Sequence, residues 1–113
     1  MYAILTDENF RHEVLDNGEP VLVEIGAEWC GGSHIMAPVL ETLARHYSKT
    51  LKIGRLDVDT NEKVPARYGV REIPTLLFFN QGHLVGRIMG AVSKNVLEAH
   101  LRRFYSTQTI PEP

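Results

Sequence analysis

The sequence predicts an α/β domain built on a mixed sheet. Strand-like and helix-like segments alternate early in the chain, giving the order βαβαβαββα, and the last two strands are joined by a tight turn. Between them Val21-Leu22-Val23-Glu24-Ile25 is apolar almost throughout, as a strand covered on both faces must be. Alternation implies parallel pairing through right-handed crossovers, and the closing hairpin adds an antiparallel edge. The chain has 113 residues, 43% of them hydrophobic and 23% charged, which suits one globular domain with its own core.

Each element has a local reason. Tyr2 to Leu5 is a short apolar run, after which Thr6 or Asp7 offers an N-cap to a helix whose Phe10, Val14 and Leu15 share a face. Asn17-Gly18-Glu19-Pro20 breaks that helix before the central strand. From about Ser33 to Tyr47, Met36, Leu40, Leu43, Ala44 and Tyr47 recur at helical spacing, with Pro38 placed to kink the helix. Leu51 to Val58 reads as a strand whose apolar phase slips at Gly54, as a strand covered on both faces or a bulge would produce. A weaker helix over Asn61 to Tyr68 ends at Gly69. Pro74 opens the strand Thr75 to Phe79, and Asn80-Gln81-Gly82-His83 turns the chain into Leu84 to Met89, with Gly82 expected at positive φ. Ser93 caps a last helix striped by Leu97, Leu101 and Phe104, and from Tyr105 the chain is polar and contains proline.

Twelve Lys and Arg against fourteen Asp and Glu leave a net charge of −2, too small a field to predict general binding of nucleic acid or an anionic membrane. One cysteine excludes an internal disulfide and a Cys-only zinc site within one chain. Met1 to Phe10 has neither a basic leader nor a long apolar run, so Met1 reads as a true start and a cytoplasmic setting is expected. His34 follows Cys30 by four residues, within reach of an ion pair or a metal, but a solvated histidine is the simpler reading; the other histidines lack ligand spacing. No metal and no cofactor is implied.

The chemistry concentrates at Glu24-Ile25-Gly26-Ala27-Glu28-Trp29-Cys30-Gly31-Gly32-Ser33, where a strand runs into a helix and the lone thiol falls at the helix's first turn. Free backbone N–H groups and the positive end of the helix dipole favour a thiolate there, hence a nucleophile. Gly31 and Gly32 keep the approach to sulfur open, and Trp29 offers a flat apolar wall to a partner polypeptide. A buried inert cysteine is the bland alternative. Glycines on one side and an aromatic on the other argue for exposure.

These residues carry a resemblance. Val23-Glu24, Ala27-Glu28-Trp29-Cys30-Gly31, Met36-Ala37-Pro38, Asp57-Val58-Asp59, Tyr68-Gly69-Val70-Arg71, Ile73-Pro74-Thr75-Leu76 and Gly90-Ala91 stand in the order and spacing of thioredoxins. The chain resembles that family from about Tyr2 to Phe104. The resemblance implies a thioredoxin fold, a central mixed sheet with helices on both faces, over residues 1–105, followed by a flexible tail over 106–113. Thioredoxins carry Trp-Cys-Gly-Pro-Cys; this chain has Trp29-Cys30-Gly31-Gly32-Ser33, so an alcohol stands where the resolving thiol would be. A hydroxyl cannot attack a mixed disulfide, so a complete intramolecular dithiol cycle is excluded. Ser33 is either a natural serine or an engineered replacement made to trap such an adduct, with Gly32 in place of the family's proline weighing a little toward natural divergence.

What remains is a monothiol half-reaction in which Cys30 forms a mixed disulfide that an external thiol such as glutathione resolves. The resemblance further implies that Glu24 is the buried acid beneath the helix, relaying protons or, more plainly, pairing with Arg55. It implies that Ile73-Pro74 is a cis bond and that Trp29, Gly31, Ile73, Pro74 and Gly90 line a groove for an extended client strand. Clients are then proteins with disulfides or reactive thiols. The rival reading is a binding module, a chaperone-like thioredoxin fold that keeps the groove and holds clients without turnover. A third reading, an iron–sulfur cluster shared between subunits as in monothiol glutaredoxins with Cys-Gly-Phe-Ser sites, is set aside because the residues flanking Cys30 resemble thioredoxin.

Overall fold

The computed structural model describes residues 2–106 and 108–110. Its order is β1 (Ala3–Leu5), a short π-helical turn (Arg11–Leu15), β2 (Val21–Gly26), α1 (Gly31–His46), β3 (Lys52–Asp57), α2 (Lys63–Arg67), β4 (Thr75–Asn80), β5 (His83–Met89) and α3 (Lys94–Phe104). This is the expected βαβαβαββα. The five strands form one sheet in the order β1-β3-β2-β4-β5, with β1, β3 and β2 parallel and β4 and β5 added antiparallel. Every residue of β2 is buried, because it is the middle strand and both of its faces are covered.

Alternation along the strands divides the core in two. Leu22, Leu76 and Phe78 point to the face covered by α1 and α3, where they meet Met36, Leu40, Leu43, Leu97 and Leu101. Val21, Val23, Ile25, Leu77 and Phe79 point to the other face, under Phe10, Val14 and Val64. Helical segments therefore lie on both faces.

Local differences from the sequence reading have physical causes. The first helix is a single π-helical turn preceded by Thr6 and Asn9, which cap each other reciprocally: Asn9 N–H donates to Thr6 Oγ1 at 3.0 Å and Thr6 N–H to Asn9 Oδ1 at 2.8 Å. Asp7 caps the start of α2 instead, accepting from the backbone of Lys63 and Val64. α1 begins at Gly31, two residues before the expected Ser33 and five before Met36 opens its apolar stripe. The phase slip at Gly54 is a close approach: a Cβ there would lie 2.6 Å from the Leu5 side chain on β1. The bulge falls in the hairpin, where Phe78 pairs with Gly86 and Phe79 with Leu84, leaving Val85 unpaired. The hairpin turn has Gln81 as well as Gly82 at positive φ, as a two-residue loop of primed type requires.

Of the expected tail, Thr107 and residues 111–113 lie outside the described residues. Ile110 does not behave as tail: it is fully buried against the core beneath α1 and α3. Tyr105 likewise turns inward, its hydroxyl donating to the carbonyl of Phe79 at 2.9 Å with Val21 O at 3.2 Å.

Tyr47, just past α1, donates to Glu98 Oε2 of α3 at 2.7 Å, and Lys94 Nζ donates to Oε1 at 3.0 Å. The Tyr47 hydrogen bond, aided by Lys94, holds the Glu98 carboxyl below its ordinary range against the opposing effect of burial. Burial and then Glu98 push Tyr47 up to about 12. A depressed carboxyl contributes stability above its unfolded pKa and loses it as pH falls through the folded one. Tyr47→Phe should therefore cost ~1 kcal/mol at pH 7 by urea unfolding. The deficit should shrink at low pH, where Glu98 is protonated; a constant deficit would show that the carboxylate is not the partner that matters.

Candidate functional site

The site grows from a meeting of two stripes. The inward face of β2 reads Leu22 then Glu24, and the buried face of α1 reads Met36 then, one turn earlier, Ser33, so each apolar stripe ends on a polar residue at the same end of the sheet. Glu24 is 1% exposed and Ser33 2%. They satisfy each other: Ser33 Oγ donates to Glu24 Oε2 at 2.9 Å and accepts from Ala27 N–H at 3.2 Å. Arg55 is the direct parallel partner of Glu24 across β2 and β3, and its Nε donates to Glu24 Oε1 at 2.5 Å while Nη2 donates to the Ser33 carbonyl at 3.0 Å. The guanidinium also lies over the Tyr2 ring, 5.3 Å from its centroid. Burial by itself would lower the Arg55 pKa, but the bond and charge of Glu24 outweigh it and hold that pKa above the ordinary value.

Cys30 is the N-cap residue of α1, with extended backbone, and is half-buried. Its thiol donates to the Ile73 carbonyl at 3.6 Å. The Ile73-Pro74 bond is cis, and the Pro74 carbonyl accepts from Gly90 N–H at 2.8 Å. The sequence-derived groove residues therefore fall in one place: Cys30, Ile73, Pro74 and Gly90 are linked directly, Gly31 is open on the first turn, and Trp29 stands 69% exposed beside them. Glu24 and Ser33 lie behind this surface, out of contact with solvent.

Three residues that the sequence reading mentions take roles it did not give them. Asp59 Oδ2 accepts from Trp29 Nε1 at 2.9 Å and so fixes the indole. His34, exposed, turns its Nε2 to the carbonyl of Glu28 rather than toward a metal, bracing the loop before Cys30. Gly32 does more than open the approach: a Cβ there would be 2.7 Å from Pro74 Cδ, so its absence lets the first turn of α1 rest on the proline ring. Only Asp59 had a signal, the Asp57-Val58-Asp59 motif. Among the described residues, no group of three or more His, Cys, Asp or Glu is placed to hold a metal ion, and no helix is long and apolar enough to cross a membrane.

Chemically the arrangement offers one thiol at a helix start, beside a backbone edge that an extended chain could pair with, above a buried ion pair closed by a serine. Residues 1–103 match the family model described as Thioredoxin. The chain is 45% identical over 97 residues to a thioredoxin of Pseudomonas aeruginosa, covering 86% of this chain and 90% of the relative. It is 42% identical over 103 residues to thioredoxin 1 of Synechococcus elongatus, covering 88% and 96%. With a thioredoxin of Porphyra purpurea the identity is 39% over 102 residues, covering 90% and 95%.

Removing the Arg55 guanidinium would leave the Glu24 carboxylate buried with only the Ser33 hydroxyl as partner. Arg55→Met should cost ~3 to 5 kcal/mol at pH 7 by chemical denaturation. Glu24→Gln in that background should return most of it; a double variant as unstable as the single one would assign the loss to packing rather than to charge.

Proposed function

The chain belongs to the thioredoxin family, whose chemistry is thiol–disulfide exchange, and on that premise we propose that it works through Cys30 alone. The Cys30 thiolate attacks one sulfur of a client disulfide; a Cys30–client disulfide forms and the other client sulfur leaves as a thiolate. An external thiol then attacks Cys30 Sγ and frees the client thiol. A second external thiol restores Cys30, and the external disulfide carries the oxidising equivalents away. Glutathione is the resolving thiol of choice, and a cytoplasmic setting, where thiols are kept reduced, suits the cycle.

One observation carries this reading: Cys30 is the sole cysteine, and position 33 holds a buried serine whose oxygen is engaged by Glu24 and by the Ala27 N–H. Nothing else in the chain can resolve a mixed disulfide. Trp29, Gly31, Ile73, Pro74 and Gly90 then form the groove in which a client strand pairs with the Ile73 backbone, its disulfide brought to Cys30. Glu24 and Ser33 support the helix start beneath the nucleophile.

The decisive measurement is turnover. With a peptide–glutathione mixed disulfide, glutathione and glutathione reductase, a trace of the protein should release many equivalents of free peptide, and Cys30→Ser none. A halt at one equivalent would instead make the protein a binding module that holds clients. Insulin reduction driven by thioredoxin reductase should be absent in the natural sequence and at least partly gained by Ser33→Cys. Activity of the natural sequence with the reductase alone would refute the monothiol cycle.

A further inference from the structure

Two adjacent glycines open α1, and their surroundings differ. A Cβ at Gly31 would meet nothing within 4 Å, whereas one at Gly32 would lie 2.7 Å from Pro74 Cδ and 3.2 Å from Pro74 Cγ. Carbon atoms in ordinary contact stand about 3.5 to 4.0 Å apart, so a side chain at position 32 would have to drive helix and proline apart by most of an ångström. The contact is backbone against ring, closer than any side chain there would permit.

The bonds around this contact decide what would yield. Pro74 is buried at the start of β4, and its carbonyl accepts from Gly90 N–H at 2.8 Å. Thr75, the next residue, is paired with Ile25 on one side and Met89 on the other, so the proline is fixed to the sheet. Ser33 is held as firmly: its Oγ donates to Glu24 at 2.9 Å and accepts from Ala27 N–H at 3.2 Å, and its carbonyl accepts from Arg55 at 3.0 Å. The free end of the turn is the other one. Gly31 is exposed, and Cys30 meets the Ile73 edge through a single long contact, from Sγ to the carbonyl at 3.6 Å. A displacement forced at Gly32 would therefore pass to Gly31 and Cys30 and carry the sulfur away from Ile73.

We propose that Gly32 is a positioning residue for thiol–disulfide exchange: its missing side chain seats the first turn of α1 on Pro74 and so sets the gap between Cys30 Sγ and the Ile73 edge along which a client disulfide is presented. The inference rests on the client groove proposed above and deepens it. Exchange requires the attacking sulfur in contact with the bond that breaks, and a misplacement of about an ångström can cost up to two orders of magnitude in rate. Gly32 acts through this spacing alone, without bonding to the sulfur.

The test follows the first half-reaction with a peptide that carries a pyridyl disulfide. The Cys30 sulfur bonds to the peptide sulfur, the peptide–pyridyl S–S bond breaks, and the thiol proton leaves on thiopyridone, whose absorbance reports the rate. Two variants are compared with the unsubstituted chain: Gly32→Ala, which favours the helix, and Gly32→Pro, which removes an N–H that the first turn of a helix leaves unpartnered. Their effects on the backbone differ, and what they share is the added Cβ. Both should lower the limiting rate at saturating peptide at least about tenfold, while the half-saturating concentration and the rate of alkylation by iodoacetamide, which needs no groove, change less than about twofold. Unchanged limiting rates, a loss in only one variant, a rise in the half-saturating concentration alone, or an equal fall in alkylation would each overturn the assignment of Gly32 and leave the exchange reading standing. Failure of the unsubstituted chain to release thiopyridone would remove that reading and this inference together.

Discussion

The carboxylate of Glu24 is the group on which the rest of the site depends. Burying an isolated carboxylate in the middle strand of a sheet would be prohibitive, so its surroundings are committed to it. Arg55 approaches from the neighbouring strand, Ser33 from the helix above, and Arg55 reaches on to the Ser33 carbonyl, closing a ring through β2, β3 and α1. Ser33 in turn holds the Ala27 N–H. The end of β2, the loop that follows it and the start of α1 are thereby fixed to one buried charge.

That anchoring explains how a single thiol can be held in one geometry without a disulfide to constrain it. Below, the serine ties the first turn of α1 to the sheet. Above, the absence of a side chain at Gly32 lets the same turn rest on the ring of Pro74, and the Ile73 carbonyl meets the sulfur. The loop between is braced by Asp59 through Trp29 and by His34 through the Glu28 carbonyl. Cys30 is thus set between two rigid elements while its flank, Trp29 and Gly31, remains open. A serine fits this frame as well as a thiol would, since its role there is to donate one hydrogen bond and accept another; what it cannot do is exchange electrons.

How much of this could be read from the sequence follows from the range of the forces involved. Periodicity reports local burial, so the alternating elements, the covered central strand and the Ser93 cap were legible, as was the Gly82 turn. Motif spacing carried the placement of Cys30 against Ile73-Pro74. Contacts across long separations that no family motif carried were not legible. Asp7 looks like the cap of its own helix but serves α2, 56 residues later, and nothing in a polar C-terminal stretch marks Ile110 as core. Gly54 read as a slipped phase because the Leu5 side chain that fills its place belongs to another strand. The apolar stripe dates the start of α1 too late because Gly31 and Gly32 carry no apolar signal, although the glycines and the thiol beside them had marked the helix's first turn, and only at Gly32 does a neighbour, the ring of Pro74, leave no room for a side chain.

The two ends of the sheet bear on how the protein behaves at high concentration. An unpaired strand edge is a template for joining another copy, and β5 exposes Leu84, Val85 and Met89 along one. The extra residue at Val85 interrupts the ladder there and increases the local twist, so a second strand could not continue the pairing in register. At the opposite edge β1 is three residues long, too short to hold a partner. The irregularity in the hairpin and the shortness of β1 therefore both disfavour the addition of a strand from another copy at either edge of the sheet.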